Sequence, residues 1–217
     1  MKDKLRWIIP LSACVILIGL LVGIYFLKPR LKYVYDSKTD TYLVDKAYGF
    51  SKEYTIPEEY NGKVVSGINV RAFYKHSSLE KITFAKKENI KEIKRLAFSE
   101  CKNLKEIDLS SVELIERNAF SYDEKLNNLV IGAKNVGSSA FYKCTALENV
   151  TLLEGVETIG AFSFSYTVFK TLKLPKTMKD VYDNAFKYQE TYTEIFGYYT
   201  LSNTYLKTLK GYKTYND

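Results

Sequence analysis

The side chains best suited to catalysis or metal binding are scarce in this 217-residue chain, which has a single histidine and three cysteines. His76, Cys101 and Cys144 each stand three residues after a phenylalanine. A zinc ion or a Ser-His-Asp arrangement needs such groups to converge on one point, whereas equivalent positions of a repeat are spread along the chain. We therefore interpret these three residues as structural, and we predict no catalytic residue, no metal and no cofactor.

The phenylalanines belong to a repeated unit that is clearest in Ile93–Leu109, IKRLAFSECKNLKEIDL. Around Phe98, apolar residues stand five positions before it and six, nine and eleven positions after it. The unit recurs at steps of 21 to 25 residues around Phe73, Phe98, Phe120, Phe141, Phe164 and Phe186. A period of this length is typical of a solenoid, in which each repeat buries its apolar side against its neighbours.

Each repeat predicts one short strand. The L-x-x-I-x-L portion, as in Leu104–Leu109, ends with alternating apolar and polar residues. The Ala-Phe portion is too short for a full helix. We predict a β-rich solenoid with a short strand plus a turn or short helical segment per repeat. Cys101 and Cys144 lie two repeats apart, so stacked strands would separate them by roughly 10 Å, beyond the roughly 7 Å that a disulfide spans.

The outward-facing strand residues are the predicted partner-binding site. Each strand contributes two side chains between its buried positions, and stacking aligns them in two rows on one face. The first row is Lys81, Glu106, Asn128, Asn149 and Thr171, and the second is Thr83, Asp108, Val130, Thr151 and Lys173. This face either binds an extended partner or is an ordinary solvated sheet surface. Within Ile93–Leu109, only Glu106 and Asp108 remain free to meet a partner.

Tyrosine is a second candidate for contacts, since it combines apolar area with a polar tip. A tyrosine follows the repeat phenylalanine by one or two positions in five repeats, at Tyr74, Tyr122, Tyr142, Tyr166 and Tyr188. These side chains either seal the edge of the core or form a contact surface.

The N-terminal region predicts a membrane anchor. Residues 7–27 are 21 uncharged residues, which as a helix would reach about 31 Å and match a hydrocarbon core of about 30 Å. We assign residues 1–6 to a short tail, residues 7–27 to a transmembrane signal anchor and residues 28–32 to a basic juxtamembrane segment. A cleaved signal peptide is the rival. The sequence LSAC at Leu11–Cys14 also resembles a lipobox that would place a lipid on Cys14, but apolar residues continue well beyond it.

The predicted anchor has two further properties. Gly19 and Gly23 form a GxxxG pair, which either brings two membrane helices into contact as a dimer or is ordinary glycine content of a membrane helix. Three basic residues flank each side, so charge does not set the orientation. The short N-terminal tail and large C-terminal body favour a single-pass protein with an extracellular repeat domain.

Caps are expected at both ends of the solenoid. Residues 33–65 alternate apolar and polar residues around turn-forming ones, which predicts an N-terminal β-hairpin cap. Residues 66–194 contain the repeats. Residues 195–217 form a C-terminal cap, for which the pattern indicates a short helix starting at Ser202 and a last strand ending at Tyr215.

The net charge of +7 is located mainly outside the repeats. Six of the 32 basic residues and one of the 25 acidic residues precede residue 33, leaving 26 basic against 24 acidic residues in the rest. Nucleic-acid binding needs a concentrated basic face. We therefore expect no nucleic-acid partner.

Three segments carry a resemblance to a known family. The repeat unit of Ala97–Leu109, the TIPEEYNGKVV stretch of Thr55–Val65 and the IFGYYTLSNTYLK stretch of Ile195–Lys207 resemble BspA-type leucine-rich repeat proteins, over residues 33–217. The resemblance implies a bacterial or protist surface protein whose leucine-rich repeats mediate attachment to other proteins or cells. It implies no catalytic residues.

Two functional hypotheses follow from these patterns. The first is a membrane-anchored cell-surface leucine-rich repeat protein that acts as a non-enzymatic protein-binding or adhesion module with extracellular protein ligands. The alternative is a structural or assembly subunit of a cell-envelope membrane complex of the same cell. An enzyme would need a cleft that the repeat pattern gives no reason to expect.

Overall fold

The computed structural model describes residues 29–188, 194–197 and 212–214, and within these ranges the chain is a β-solenoid. Its helical content there is one 3₁₀ turn, Lys87–Asn89. The strands are β1 Arg30–Asp36, β2 Thr41–Tyr48, β3 Glu53–Ile56, β4 Glu59–Tyr60, β5 Lys63–Ile68, β6 Lys81–Phe84, β7 Glu92–Ile93, β8 Leu114–Ile115, β9 Asn128–Ile131, β10 Asn135–Val136, β11 Asn149–Leu152, β12 Thr158–Ile159, β13 Thr171–Lys173, β14 Asp180–Val181, β15 Glu194–Gly197 and β16 Tyr212–Thr214.

Every coil of the solenoid contributes to two strand faces. The first face is a sheet in the order β1-β2-β5-β7-β8-β10-β12-β14, and its pairs along this order after β1–β2 are parallel. Strand β4 belongs to the same sheet and pairs antiparallel with β5. The second face consists of β3–β6, β9–β11 and β13–β15–β16, again with parallel pairing. Isolated bridges from Lys81 to Glu106 and from Leu109 to Ile131 connect β6 with β9.

The first face is the main departure from the sequence interpretation, which assigned one strand to each repeat. From β7 onward its strands are two residues long, such as Glu92–Ile93, and two residues contain no recognisable alternation. The apolar position five residues before each phenylalanine belongs to these strands, as Ile93 and Ile115 do. The Ala-Phe portion forms turns rather than a short helix.

The repeat phenylalanines form an interior column from Phe73 to Phe186. The first four neighbouring ring pairs have centroids 4.9 to 5.3 Å apart and planes within 16° of parallel. The last pair, Phe164 and Phe186, is wider at 6.0 Å. Phe169 packs edge-on against both, at 5.7 and 6.3 Å. After Phe164, the apolar residues Phe169, Leu172 and Leu174 each come one position earlier than in the unit around Phe98, which indicates a deletion of one residue. The packing of Phe169 leaves the column filled despite this deletion.

Backbone hydrogen bonds join neighbouring coils at the same position. The Phe98 N–H donates to the Ala119 carbonyl and the Phe120 N–H to the Ala140 carbonyl, both at 2.8 Å. Parallel strands are about 4.8 Å apart in the direction of their hydrogen bonds. These bonds therefore run along the solenoid axis.

A pair of left-handed residues brackets every phenylalanine of the column. The residues two positions before and two positions after it all have φ between 56° and 65°. They are Arg71, Lys75, Leu96, Glu100, Asn118, Tyr122, Ser139, Lys143, Phe162, Tyr166, Asn184 and Tyr188. None is glycine, although L-residues other than asparagine are strained in this conformation. The strain is accepted because two such residues turn the chain sharply enough to point the phenylalanine inward.

An antiparallel hairpin of β1 and β2 covers the first coil, and β2 pairs with β5 in parallel. Strand β1 begins at Arg30, inside residues 28–32 that the sequence interpretation assigned to a juxtamembrane segment. The physical reason is that Leu31 and Tyr33 both pack against the core. The first described strand therefore begins closer to the uncharged segment than the sequence interpretation expected.

Several sequence predictions concern residues outside the described ranges. These are the transmembrane segment 7–27, the Gly19–Gly23 pair, lipidation at Cys14 and the helix starting at Ser202. In the ranges that the structure does describe, no helix has the length and apolarity needed to span a bilayer. A strand, β16, lies at Tyr212–Thr214, where the last strand is predicted.

Candidate functional site

The side chains best suited to catalysis or metal binding lie in one largely buried column, three positions after each repeat phenylalanine. Cys101 and Cys144 are free and fully buried, as predicted. The Cys101 thiol donates to the Phe73 carbonyl at 3.0 Å and the Cys144 thiol to the Phe120 carbonyl at 3.1 Å. Burial raises the pKa of both thiols well above the ordinary range. These cysteines are inert packing groups.

Asp123 occupies the position between the two cysteines in the same column. It is fully buried, and its Oδ1 accepts a hydrogen bond of 2.9 Å from the Cys101 N–H. Its Oδ2 has no partner within the described part of the chain. Burial raises the pKa of this carboxyl well above its ordinary value, because the charged form would be poorly solvated.

His76 begins the column and lies partly buried beneath the N-terminal cap. Its Nε2 is 3.0 Å from the Tyr54 hydroxyl and its Nδ1 is 3.3 Å from the Ser78 hydroxyl. Burial lowers the pKa of the imidazole. No three metal-binding side chains of the described ranges come together. The column therefore stacks these groups instead of bringing them to one point.

The predicted strand-face rows form a groove on the second face. Eight of the ten residues line it, and its volume is about 1310 Å³. They are Lys81, Thr83, Glu106, Asp108, Asn128, Val130, Asn149 and Thr151. The buried side chains of Ile82, Ile107 and Leu129 form its floor. Thr171 and Lys173 lie on β13 and do not line the groove.

One half of the groove is charged, and its charges are paired. Lys81 Nζ lies 2.6 Å from Glu106 Oε2, and Lys87 Nζ lies 3.0 Å from Asp108 Oδ2 and 3.1 Å from the Ser110 hydroxyl. The expectation that Glu106 and Asp108 are free is therefore wrong. It failed because a lysine on the preceding coil reaches each carboxylate. Exposed pairs of this kind contribute about 0 to 1 kcal/mol, so a partner can displace them at little cost.

The carboxylate of Asp108 is held in the charged form. Partial burial alone would raise the pKa of Asp108, but hydrogen bonds from Ser110 and Lys87 outweigh it, and the pKa is lowered. Beside the groove, Glu80 lies between Lys105 and Lys52, at 2.7 and 2.8 Å. Hydrogen bonds from these lysines lower its pKa to about 2.

The other half of the groove is mostly uncharged, and Lys125 and Glu148 are its charged lining residues. The parallel register of β9 and β11 places Asn149 beside Asn128 and Thr151 beside Val130. The Asn149 side-chain amide donates to the Asn128 carbonyl oxygen at 2.7 Å. Val130 is 42% exposed, which leaves an apolar spot among amides and hydroxyls.

Sequence reasoning missed part of the groove. Lys87, Lys105 and Lys125 also line it. The signal for Lys87 was the long 25-residue step between Phe73 and Phe98, because the 3₁₀ turn that carries Lys87 lies in that step. The rows also extend onto the cap, where β3 pairs with β6.

The comparison with protein families agrees with this architecture. Residues 66–193 match the BspA type leucine rich repeat region, in six copies. The chain belongs to this family. No curated protein matches the BspA-type chain.

Solved structures similar to this BspA-type chain share its fold. A leucine rich cell surface protein from Faecalibacterium prausnitzii A2-165 is 23% identical with a TM-score of 0.59, over 78% of this chain and 54% of that one. The T. pallidum leucine rich repeat protein TpLRR is 20% identical with a TM-score of 0.63, over 85% and 95%. The pneumococcal vaccine antigen PcpA is 20% identical with a TM-score of 0.60, over 79% and 48%. The chain thus spans about half the length of the first and third of these proteins.

The tyrosines of the BspA-type repeats form a ridge that is separate from the groove. Rings of Tyr122, Tyr142, Tyr166 and Tyr188 follow one another with centroids 4.9 to 5.6 Å apart. The Lys143 ammonium lies within 5.8 Å of the first three rings. The rings contact one another, and those of Tyr74, Tyr122 and Tyr188 are also exposed to solvent.

Proposed function

We propose that this BspA-type protein is a membrane-anchored, cell-surface module whose groove binds an extended segment of a partner protein. The observation that carries the proposal is the parallel register of the second face, which aligns equivalent side chains such as Asn128 and Asn149. Aligned side chains recur about every 4.8 Å. A partner segment lying along the groove therefore meets a repeated set of hydrogen-bonding groups.

The chemistry of the groove favours a protein over a nucleic acid. Its charged half contains the carboxylates of Glu106 and Asp108 as well as lysines, and these acidic groups would repel a phosphate backbone. Its other half offers amides, a hydroxyl and the exposed Val130, together with the charged side chains of Lys125 and Glu148. A polypeptide with side chains of both charges and some apolar character fits this surface best.

Surface exposure and anchoring are the second part of the proposal. The uncharged residues 7–27 would hold the chain in the membrane as a single-pass anchor with the repeats outside. The Faecalibacterium prausnitzii neighbour is described as a cell surface protein, which supports the same location. Protease added to intact cells should then digest the repeats. Complete protection would refute the outward orientation.

Binding in the groove is tested by photo-crosslinking. A photoreactive amino acid replaces Val130 in the groove, and a matched chain carries it at Tyr182, which is 54% exposed and outside the groove. Crosslinked partners are identified, and the contact segment is mapped by mass spectrometry. We expect one partner segment from the groove position and none from the control.

Two outcomes would change the conclusion. Equal products from both positions would remove the groove as the binding site. Exclusive recovery of membrane proteins from the same cell would favour an assembly subunit of the cell envelope over adhesion. With the photoreactive residue kept at position 130, Thr151→Arg beside it should abolish the specific product, and Tyr182→Arg should not.

A further inference from the structure

The open end of the β1–β2 hairpin gathers basic and aromatic side chains. Arg30 is the register partner of Tyr48, and its guanidinium carbon lies 4.7 Å from the centre of the Tyr48 ring. The Lys46 ammonium lies 5.5 Å from the centre of the same ring. Two cations therefore lie over the same tyrosine ring. We call Arg30, Lys46, Tyr48 and Phe50 the base of the hairpin.

Phe50 completes this group and stands out for its exposure. It follows Tyr48 by two residues, after Gly49 with a φ of 91°. Its side chain is 68% exposed, the largest value among the exposed large hydrophobic residues of the described ranges. Singly exposed apolar side chains are common on protein surfaces, so the exposure of Phe50 becomes informative only through the position that the chain connectivity gives it.

Chain connectivity shows what this surface can reach. The uncharged segment of residues 7–27 ends three residues before Arg30. Three residues of fully extended chain span at most about 11 Å. Arg30 therefore stays within about that distance of residue 27, where the uncharged segment ends. The register of the hairpin keeps Tyr48 beside Arg30, and Phe50 follows Tyr48 by two residues.

On this basis, and resting on the membrane anchoring proposed above, we propose that the base of the hairpin is a lipid-contacting surface that seats the solenoid on the bilayer. Phe50 and Tyr48 enter the headgroup layer, where aromatic side chains are favoured. Arg30 and Lys46 face the phosphate groups of anionic lipids. The carboxylate on the same strand, Asp45, forms its ion pair with Lys32 at 2.9 Å, while Lys46 acts on it as a nearby charge.

Seating at this end orients the strands of the first face. Arg30 and Tyr48 lie at one end of the hairpin strands, and the turn that contains Ser37 lies at the other end. The seven residues of β1 span about 23 Å. With the base of the hairpin on the lipid, Ser37 should lie far from the lipid surface.

The experiment measures the distance of both ends from lipid in the full chain. Cys14→Ser removes one thiol, and the buried Cys101 and Cys144 do not label in the folded state. Phe50→Cys or Ser37→Cys, in the exposed turn at the other end of the hairpin, then receives an environment-sensitive fluorophore. Each protein is reconstituted in vesicles of phosphatidylcholine and phosphatidylglycerol, in about a three-to-one ratio, with and without a headgroup nitroxide quencher.

The proposal expects several-fold stronger quenching at position 50 than at position 37. The double substitution Arg30→Glu, Lys46→Glu should reduce the quenching at position 50, and it should do so less in vesicles of phosphatidylcholine alone. Equal quenching at the two positions, in protein that floats with the vesicles, would overturn the seating and leave the anchoring intact. Failure of the protein to float with the vesicles would refute the anchoring and the seating together. Circular dichroism of each variant confirms that it is folded.

Discussion

Replacing Asp123 by asparagine should remove a pH dependence of stability that the wild-type protein shows. The Asp123 carboxyl is fully buried, and its Oδ2 lacks a partner within the described chain. At the equivalent position, the Cys144 thiol donates to the Phe120 carbonyl. An asparagine keeps the acceptor for the Cys101 N–H, provides a donor for the equivalent Phe98 carbonyl and carries no titrating proton.

The sign and size of the effect follow from the raised pKa of Asp123. In the unfolded chain the carboxyl titrates near its ordinary pKa of about 3.9. Between that pH and the raised native pKa, the folded state holds one more proton than the unfolded state. The free energy of unfolding therefore falls as pH rises, by up to about 1.4 kcal/mol per pH unit. At neutral pH and above, Asp123→Asn should stabilise the fold by about 1 to 3 kcal/mol.

Urea unfolding followed by circular dichroism measures the free energy of unfolding of both proteins at about pH 5 and about pH 8. The pKa of His76 is lowered, so His76 alone would make stability fall with falling pH. It titrates in both proteins, and the difference between their pH slopes isolates Asp123. Asp123→Cys, which introduces the residue found at the neighbouring positions, should flatten the slope as well. Identical pH slopes in the wild type and Asp123→Asn would show that Asp123 does not titrate between the two values.

Three further predictions concern the core and the turns. Phe141→Ala should lower the free energy of unfolding by about 3 to 5 kcal/mol, because Phe141 is fully buried between two stacked rings. Tyr182→Ala, at an exposed position, should change the free energy of unfolding by less than about 0.5 kcal/mol. An equally small change for Phe141→Ala would show that Phe141 lies outside the core. Ser139, with φ of 56°, should tolerate glycine but lose about 1 to 2 kcal/mol on substitution by valine, and equal stabilities in urea would contradict the strain. The Cys101 and Cys144 thiols should react with iodoacetamide only as the protein unfolds, and rapid labelling of the native chain would contradict their burial.

The interior column and the outward rows could be predicted from sequence because each depends on one residue type or position recurring at a regular interval. Phe98 and Phe120 mark the column by their size, and the residues between buried strand positions mark the rows. In-register stacking then follows from the repeat itself. The family resemblance rested on the same recurring unit.

The features that could not be predicted depend on which side chains of neighbouring coils come into contact. The pairing of Lys87 with Asp108 needs the 3₁₀ turn that a longer repeat inserts, and spacing alone does not show which lysine approaches which carboxylate. The two-residue strands of the first face are too short to carry a pattern. The start of β1 at Arg30 depends on Leu31 packing against the core, which the neighbouring basic residues concealed.

The hydrogen bonds between coils have a mechanical consequence because they run along the solenoid axis. A pull between an anchored N-terminal end and a bound partner passes through every intervening interface in series, so the weakest of them sets the force that the module withstands. A partner held near Lys81 strains few interfaces, whereas one held near Thr151 strains several more, such as the one closed by Phe98 N–H and Ala119. Attachment at the end of the groove nearest the anchor would therefore be the more resistant to shear.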